Sequence, residues 1–132
     1  MKDYLDLVAQ FQKATDQPIL ESPEENETLF DIEPNIHFLR SRLMAEENEE
    51  YLESCQELNK VEMLDACVDM AYILFGTINT HGFQNVFDEA FKRVHQNNMT
   101  KVGQDGKVLK NSEGKVIKPK GYKTVDLTDL IN

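Results

Sequence analysis

The 132-residue sequence lacks the long apolar run that a membrane-spanning segment requires. No stretch approaches the roughly 20 apolar residues that cross a bilayer, and the opening residues MKDYLDL have no signal-peptide core. Cationic residues are scarce too, since 14 Lys and Arg stand against 24 Asp and Glu for a net charge of −10. These absences argue against a membrane partner and against a nucleic-acid-binding surface, and we expect a cytoplasmic protein.

Cysteine is equally scarce, with only Cys55 and Cys67 in the chain. Both fall in helical patterns without a CxxC pair or a nearby His, which favours free thiols over a disulfide or metal ligands. A phosphate-cradling P-loop, a dinucleotide-binding glycine motif and a Ser-His-Asp set are also missing. Hydrophobic residues make up 40% of the chain, which is enough for the core of one domain.

Acidic residues are what the chain has in excess, and those between residues 42 and 76 follow two helical patterns. In the first pattern, Glu46, Glu47 and Glu50 recur within about one turn. Like charges at this spacing repel one another, which a bound cation would offset. A glutamate run is also typical of a solvated helix face, so both interpretations stay open for this segment.

The second acidic pattern is harder to explain as a solvated face. Glu62, Asp65 and Asp69 follow i, i+3 and i+7, so they share one side of a helix. Asp is a mediocre helix former, and a carboxylate among apolar neighbours needs a cation, a hydrogen bond or a raised pKa. Two such faces set against each other would bind a hard cation, Mg²⁺ or Mn²⁺, through oxygen ligands.

Apolar periodicity predicts four helices, over residues 3–14, 31–57, 61–81 and 83–98. Asp31 is expected to cap the second helix, with Pro34 in its first turn, and Gly82 to end the third. Residues 15–34 should form a long loop, broken by a turn around 27–30. The pattern of residues 107–118 predicts a β-hairpin around a turn at 111–114, followed by a short tail.

The acids also carry a resemblance to a known superfamily. Glu46-Glu47-x-x-Glu50, followed by an acid-bearing helix with Asp69-Met-Ala-Tyr, resembles the signature of the all-α nucleoside triphosphate pyrophosphohydrolases. This superfamily includes MazG-like enzymes, dimeric dUTPases and phosphoribosyl-ATP pyrophosphohydrolase. The segments DACVDMAYILFGTINTHGF, RVHQNNMTK and GKVIKPKGY are similar to a phage and bacterial MazG-like subgroup.

The superfamily pattern is EExxE followed by ExxD, and the second motif departs from it here. If Asp69 is the motif aspartate, the position three before it is Ala66, whereas Glu62 and Asp65 form a literal ExxD. Either register leaves the three acids on one face. The resemblance therefore implies a metal site on this helix while the ligand set stays open among them.

The resemblance implies an all-α fold, a four- to five-helix bundle with a small C-terminal β-hairpin. One MazG-like domain would span residues 1–132, with a helical core over 1–98 and the hairpin and tail over 99–132. The implied activity is hydrolysis of a nucleoside triphosphate, such as dUTP or another dNTP, between the α and β phosphates. Relatives pair two chains, which implies a homodimer or a dimer of dimers.

Two or three divalent ions, Mg²⁺ or Mn²⁺, would clamp the phosphates and acidify a bound water. Glu46 and Glu47 are the candidates for the catalytic residue that orients this water, although a carboxylate that already holds metal could be the base. The expected metal ligands come from both acidic faces and are Glu47, Glu50, Glu62, Asp65 and Asp69.

Substrate-binding residues should offer hydrogen bonds or positive charge without competing for metal. The resemblance favours Asn98 and Lys101, and further candidates are Asn79, Lys118 and Tyr122. Asn79 could instead cap the last turn of its helix, and both lysines could simply be solvated. The alternative to an enzyme is a non-catalytic acidic helical bundle that binds a nucleotide or a protein partner.

Overall fold

The structure is a computed structural model that describes residues 2–131 and, at residue 30, the backbone alone. Helices account for 63% of the chain, and the described range contains no sheet, which confirms the all-α prediction. A 3₁₀ helix spans Pro23–Thr28. The α-helices of the described range are α1 Lys2–Ala14, α2 Leu29–Ile32, α3 Ile36–Gln56, α4 Lys60–Thr80, α5 Phe87–Met99 and α6 Thr128–Ile131.

The chain divides into two compact units, Met1–Asn85 and Val86–Asn132. The first unit contains α1 to α4, and the second contains α5 and α6. The organisation of the whole chain as one domain stays a prediction.

Helices α3 and α4 form an antiparallel hairpin, and their packing is the most extensive between any two helices of the described chain. The turn between them is tight because Leu58 adopts a left-handed φ of 54°. Asn59 then caps α4, since its side-chain oxygen accepts the backbone N–H of Glu62 at 3.1 Å. This cap satisfies one of the backbone donors that a helix start leaves free, and so fixes where α4 begins.

Helix α1 packs on the C-terminal part of α4. Its apolar residues Leu5 and Val8 are buried, and Tyr4 stacks on Phe75 with ring centroids 5.8 Å apart. The chain after α1 contributes Leu20 and, from α2, Leu29 to a small apolar core with Ile36.

Two predicted boundaries are wrong, and both errors involve proline or glycine. Asp31 lies inside α2 and caps nothing, because α3 begins only at Ile36, after Pro34. The residue before a proline avoids the helical region, and Glu33 accordingly has φ −138° and ψ 80°. The helix predicted from residue 83 begins at Phe87, since Gly82 turns the chain with φ +74°.

In the second unit, two side chains of α5 bind polar groups of the C-terminal segment. Arg93 binds both carboxylate oxygens of Asp129, at 2.6 and 2.9 Å. One turn further along α5, Asn97 donates to the hydroxyl of Tyr122 at 2.7 Å. These bonds hold the C-terminal segment against α5.

The predicted C-terminal β-hairpin is not shown. Its turn is present, with Gly114 at φ +81°, but the flanking residues make only one isolated antiparallel bridge, between Lys110 and Val116. A short ladder of this kind has too few pairs to form strands on its own. Both cysteines are free, as predicted, and no helix within residues 2–131 combines the length and apolar character needed to cross a bilayer.

Candidate metal centre

The middle of the α3–α4 hairpin brings three carboxylates together. One oxygen from each of Glu47, Glu50 and Asp69 lies within 4.8 Å of the other two. The first two residues stand three apart on the face of α3 that meets α4, and Asp69 faces them from α4. The helical spacing of the acids therefore produces one cluster shared by two helices.

The environment of this cluster disfavours three negative charges. Burial, a hydrogen bond with Glu50 and the charges of Glu50, Asp69 and Asp65 together raise the pKa of Glu47 to about 7. Burial first, and then the charges of Asp65 and Glu50 and a hydrogen bond to Asp65, raise the pKa of Asp69. Burial and the neighbouring negative charges thus raise the pKa of both Glu47 and Asp69, as expected for like charges in one site.

One atom of the cluster has no hydrogen-bond partner among the described residues. Glu47 Oε2 is buried and unpaired. Buried polar atoms are nearly always satisfied, so this oxygen is a place where a water molecule or a cation could bind. An all-oxygen set of carboxylates fits a hard divalent cation such as Mg²⁺ or Mn²⁺, and it does not fit a metal that prefers sulfur or nitrogen.

Comparison with known families decides the class of the protein. Residues 8–98, from α1 to near the end of α5, match the family model of phosphoribosyl-ATP pyrophosphohydrolase. The chain belongs to this family. The family lies within the MazG-like all-α NTP pyrophosphatase superfamily, which confirms the resemblance seen in the sequence. No curated protein matches the chain.

As a member of that family, the chain is a nucleotide pyrophosphohydrolase that acts on a phosphoanhydride bond. MazG-like pyrophosphohydrolases generally use divalent metal ions, and the carboxylate cluster lies within the matched residues. The match ends before Lys101, Lys118 and Tyr122. The basic segment of the second unit therefore has no support from the family.

The other predicted acids of this pyrophosphohydrolase lie around the cluster in different ways. Asp65 lies close enough to Asp69 to help raise the pKa of its carboxyl group, so it borders the cluster. Glu62 lies in the first turn of α4, where its backbone N–H donates to Asn59 Oδ1, and it is not among the three acids whose oxygens meet. Glu46 is exposed and forms an ion pair with Arg42 at 4.0 Å, away from the three carboxylates that meet.

The predicted substrate-binding residues fall in both units of the pyrophosphohydrolase. Asn79 is 2% exposed, and its side-chain nitrogen donates to Leu5 O at 2.9 Å and to Gln12 Oε1 at 3.1 Å. These bonds attach α1 to α4. These contacts with α1 are sufficient to explain why Asn79 is buried. Neither of the two roles that the sequence suggested for it, a nucleotide contact or a helix cap, is required.

The structure brings the other four predicted substrate-binding residues together inside the second unit. The ammonium groups of Lys101 and Lys118 lie 5.3 and 5.4 Å from the centre of the Tyr122 ring. Lys101 also donates to the side-chain oxygen of Asn98 at 3.1 Å. Two cations on one aromatic ring make a local concentration of positive charge.

The structure places Arg40, Gln12 and Gly76 in one buried polar network, although sequence reasoning assigned no role to Arg40 or Gly76 and considered Gln12 only for a base pocket. Gln12 donates to Gly76 O at 2.9 Å and to Thr80 Oγ1 at 3.2 Å. A signal was present, since Arg40 occupies an inward position of the α3 period together with Ile36 and Glu47.

Proposed function

We propose that the chain hydrolyses a nucleoside triphosphate to the monophosphate and pyrophosphate with divalent cations held by Glu47, Glu50 and Asp69. The observation that carries this proposal is the unpaired, buried Oε2 of Glu47 in a cluster of three carboxylates. A triphosphate carries three to four negative charges, so it cannot approach these acids unless cations lie between them. Two or three Mg²⁺ or Mn²⁺ ions would clamp the phosphates and activate the attacking water.

The residues around the cluster receive roles from their positions. Asp65, beside Asp69, would either bind a cation itself or hold Asp69 in place. Glu62 would bind a cation only if its side chain reached the cluster from the first turn of α4. Glu47 is the better placed of the two candidate catalytic residues, because its carboxylate lies in the cluster where the attacking water would bind. Glu46 would have to leave its exposed pairing with Arg42.

Phosphate and sugar contacts are proposed for Asn98, Lys101, Lys118 and Tyr122. The support is electrostatic: residues 86–132 carry nine Lys and Arg against six Asp and Glu, whereas residues 1–85 carry five against 18. The basic part of the chain therefore has the sign that binds phosphate, and the acidic part has the sign that binds cations. Asn79 is retained as a candidate, with its side chain already engaged by α1.

A second copy of the chain is proposed to cover an apolar face of α1 and α4. Tyr4 and Leu7 of α1 are each 60% exposed, and Leu64 and Val68 of α4 are 67% and 54% exposed. A groove of about 390 Å³ lies between the two helices. Because α1 has 13 residues and α4 has 21, α1 is too short to cover the whole length of α4. Contiguous apolar patches of this kind mark interfaces, and light scattering on Leu64→Glu should show monomers if copies pair here.

The activity is tested by measuring pyrophosphate release from a substrate panel with Mg²⁺ or Mn²⁺. The panel contains the NTPs, the dNTPs, dUTP, damaged nucleotides and the phosphoribosyl-ATP of the family name, with dUDP as a check on the bond cleaved. Wild-type protein should release pyrophosphate from at least one triphosphate, and Glu47→Gln should not. The matched control is Glu49→Gln, an exposed acid of α3 outside the cluster.

Release that persists in Glu47→Gln would remove this residue from the site. No release from any substrate would instead support a non-catalytic bundle that binds a nucleotide or a partner. Calorimetry with a non-hydrolysable triphosphate distinguishes that outcome from an inactive preparation, since binding would remain.

A further inference from the structure

Arg40 is a buried cation with no carboxylate within 4 Å among the described residues. It is 4% exposed, and each of its guanidinium nitrogens donates a hydrogen bond. Nε binds Thr77 Oγ1 at 3.0 Å, Nη2 binds Ile73 O at 2.8 Å, and Nη1 binds Gln17 Oε1 at 3.0 Å. One side chain of α3 thus holds α4 at two points and also holds the segment after α1.

Gly76 makes the space for this side chain. A Cβ at Gly76 would lie 2.6 Å from Arg40 Nη2 and 3.4 Å from Gln12 Nε2. Real Cβ atoms do not come that close to a neighbour, and the guanidinium is fixed by three hydrogen bonds. Arg40 and Gly76 therefore define one register of α3 against α4.

The carboxylate cluster follows the same register. Arg40 and Gly76 lie 18 residues on either side of Leu58 at the hairpin turn, and Glu47 and Asp69 lie 11 residues on either side. The two pairs are thus seven residues apart on both helices, about 10 Å at the helical rise. The acids lie between two fixed points, the turn at one end and the Arg40 contacts at the other.

We infer that Arg40 is a positioning residue of the metal centre, which sets the register that brings Glu47 and Glu50 against Asp69. The inference rests on the proposed function. The charge repulsion inside the cluster pushes α3 and α4 apart, so the hairpin needs an attachment beyond the acids to keep their oxygens within reach of one ion. A planar guanidinium with three partners is such an attachment, whereas a lysine would reach only one of them.

The test measures Mn²⁺ affinity by calorimetry in the absence of nucleotide, so that activity is not involved. Arg40→Met should raise the Mn²⁺ dissociation constant about ten-fold or more, the range seen when a residue that orients metal ligands is lost. Arg40→Lys should not restore the affinity, because it supplies the charge without the fork. Thr77→Val removes a single Arg40 acceptor and provides a milder variant that keeps the fold, with a smaller loss in the same direction.

The matched control is Arg42→Met, since Arg42 is on the same helix with a side chain 71% exposed, and its one ion pair among the described residues is with Glu46, at 4.0 Å. Its Mn²⁺ affinity should stay within about two-fold of wild type, because such exposed ion pairs contribute little. Wild-type affinity in both Arg40→Met and Thr77→Val overturns the inference alone. A wild-type protein that binds no Mn²⁺ overturns the proposed metal centre and the inference with it.

Discussion

Two levels of the α3–α4 hairpin differ in whether their polar groups are satisfied. At the Arg40 level, all three guanidinium nitrogens have acceptors, and the neighbouring amide of Gln12 is bonded to Gly76 and Thr80. At the Glu47 level, seven residues along the same helix, a buried carboxylate oxygen has no partner and acids face acids.

The difference indicates which level folds the hairpin and which one binds a ligand. A fully paired buried network stabilises one arrangement of the helices, whereas a partly paired one destabilises the fold unless something completes it. All three guanidinium nitrogens at the Arg40 level have acceptors. On the proposed function, the repelling acids of the Glu47 level need bound cations, whereas the Arg40 level holds the two helices together and keeps those acids in register.

The largest expected effect comes from removing charge at the Glu47 level. Asp69→Asn should lower pyrophosphate release at least about 100-fold, since a metal ligand is lost where charge stabilisation matters most. The same change should raise the unfolding temperature of the metal-free protein, because one repelling charge is gone. Pyrophosphate release is measured with Mg²⁺ present. The unfolding temperature of the metal-free protein is measured in EDTA. A variant that loses stability in EDTA would contradict the idea that the acids repel.

A change at the Arg40 level should destabilise the fold rather than relieve charge repulsion. Gly76→Ala should lower the free energy of unfolding by about 1–3 kcal/mol, because its Cβ would lie 2.6 Å from Arg40 Nη2. In an Arg40→Met background the cost should largely disappear, since a flexible chain can move aside and Ala favours a helix over Gly. Denaturant unfolding of the four proteins measures this coupling, and equal costs in both backgrounds would mean that Arg40 and Gly76 do not interact as described.

The pH dependence of the metal-free protein should report on Glu47. Its pKa is raised to about 7 from 4.5, so the folded state holds a proton that the unfolded state releases. This contribution to stability is present below pH 4.5 and is lost as the pH rises through about 7. Melting curves in EDTA between pH 6.5 and 8 should therefore show falling stability, and saturating Mg²⁺ should remove the fall. Glu47→Gln should show no such fall in EDTA.

The smallest effect is expected at the C-terminal end of α4, where His81 stacks between His37 and Phe83. Burial, and then the charges of His37 and Arg40, lower the pKa of His81. Its contribution to stability is complete above pH 6.5 and is lost as the pH falls below that value. Melting curves from pH 7 to pH 5 should flatten in His81→Gln, while the exposed His95→Gln should keep the wild-type dependence.

The acidic level of the hairpin could be predicted from the sequence, because the spacing of its acids follows the helical period. The i, i+3 and i+7 spacing predicted that Asp65 and Asp69 share a face, and the structure places Asp69 in the cluster with Asp65 beside it. The all-α class also followed from periodicity. Local patterns are sufficient for such features because each one lies within a single helix.

What the sequence could not predict depends on contacts between elements. The role of Arg40 requires the register of α3 against α4, which no single-helix pattern contains. The burial of Asn79 depends on α1 packing across α4, 74 residues away from Leu5 in sequence. The predicted strands around 111–114 required more pairing than the single bridge between Lys110 and Val116 that the structure contains.

The most direct test of the metal centre is a crystal structure with Mn²⁺, which anomalous scattering identifies without reference to activity. The account predicts at least one Mn²⁺ within about 2 Å of carboxylate oxygens of Glu47, Glu50 and Asp69, with Glu47 Oε2 among its ligands. Mn²⁺ bound only elsewhere, or none at concentrations that saturate turnover, would contradict it.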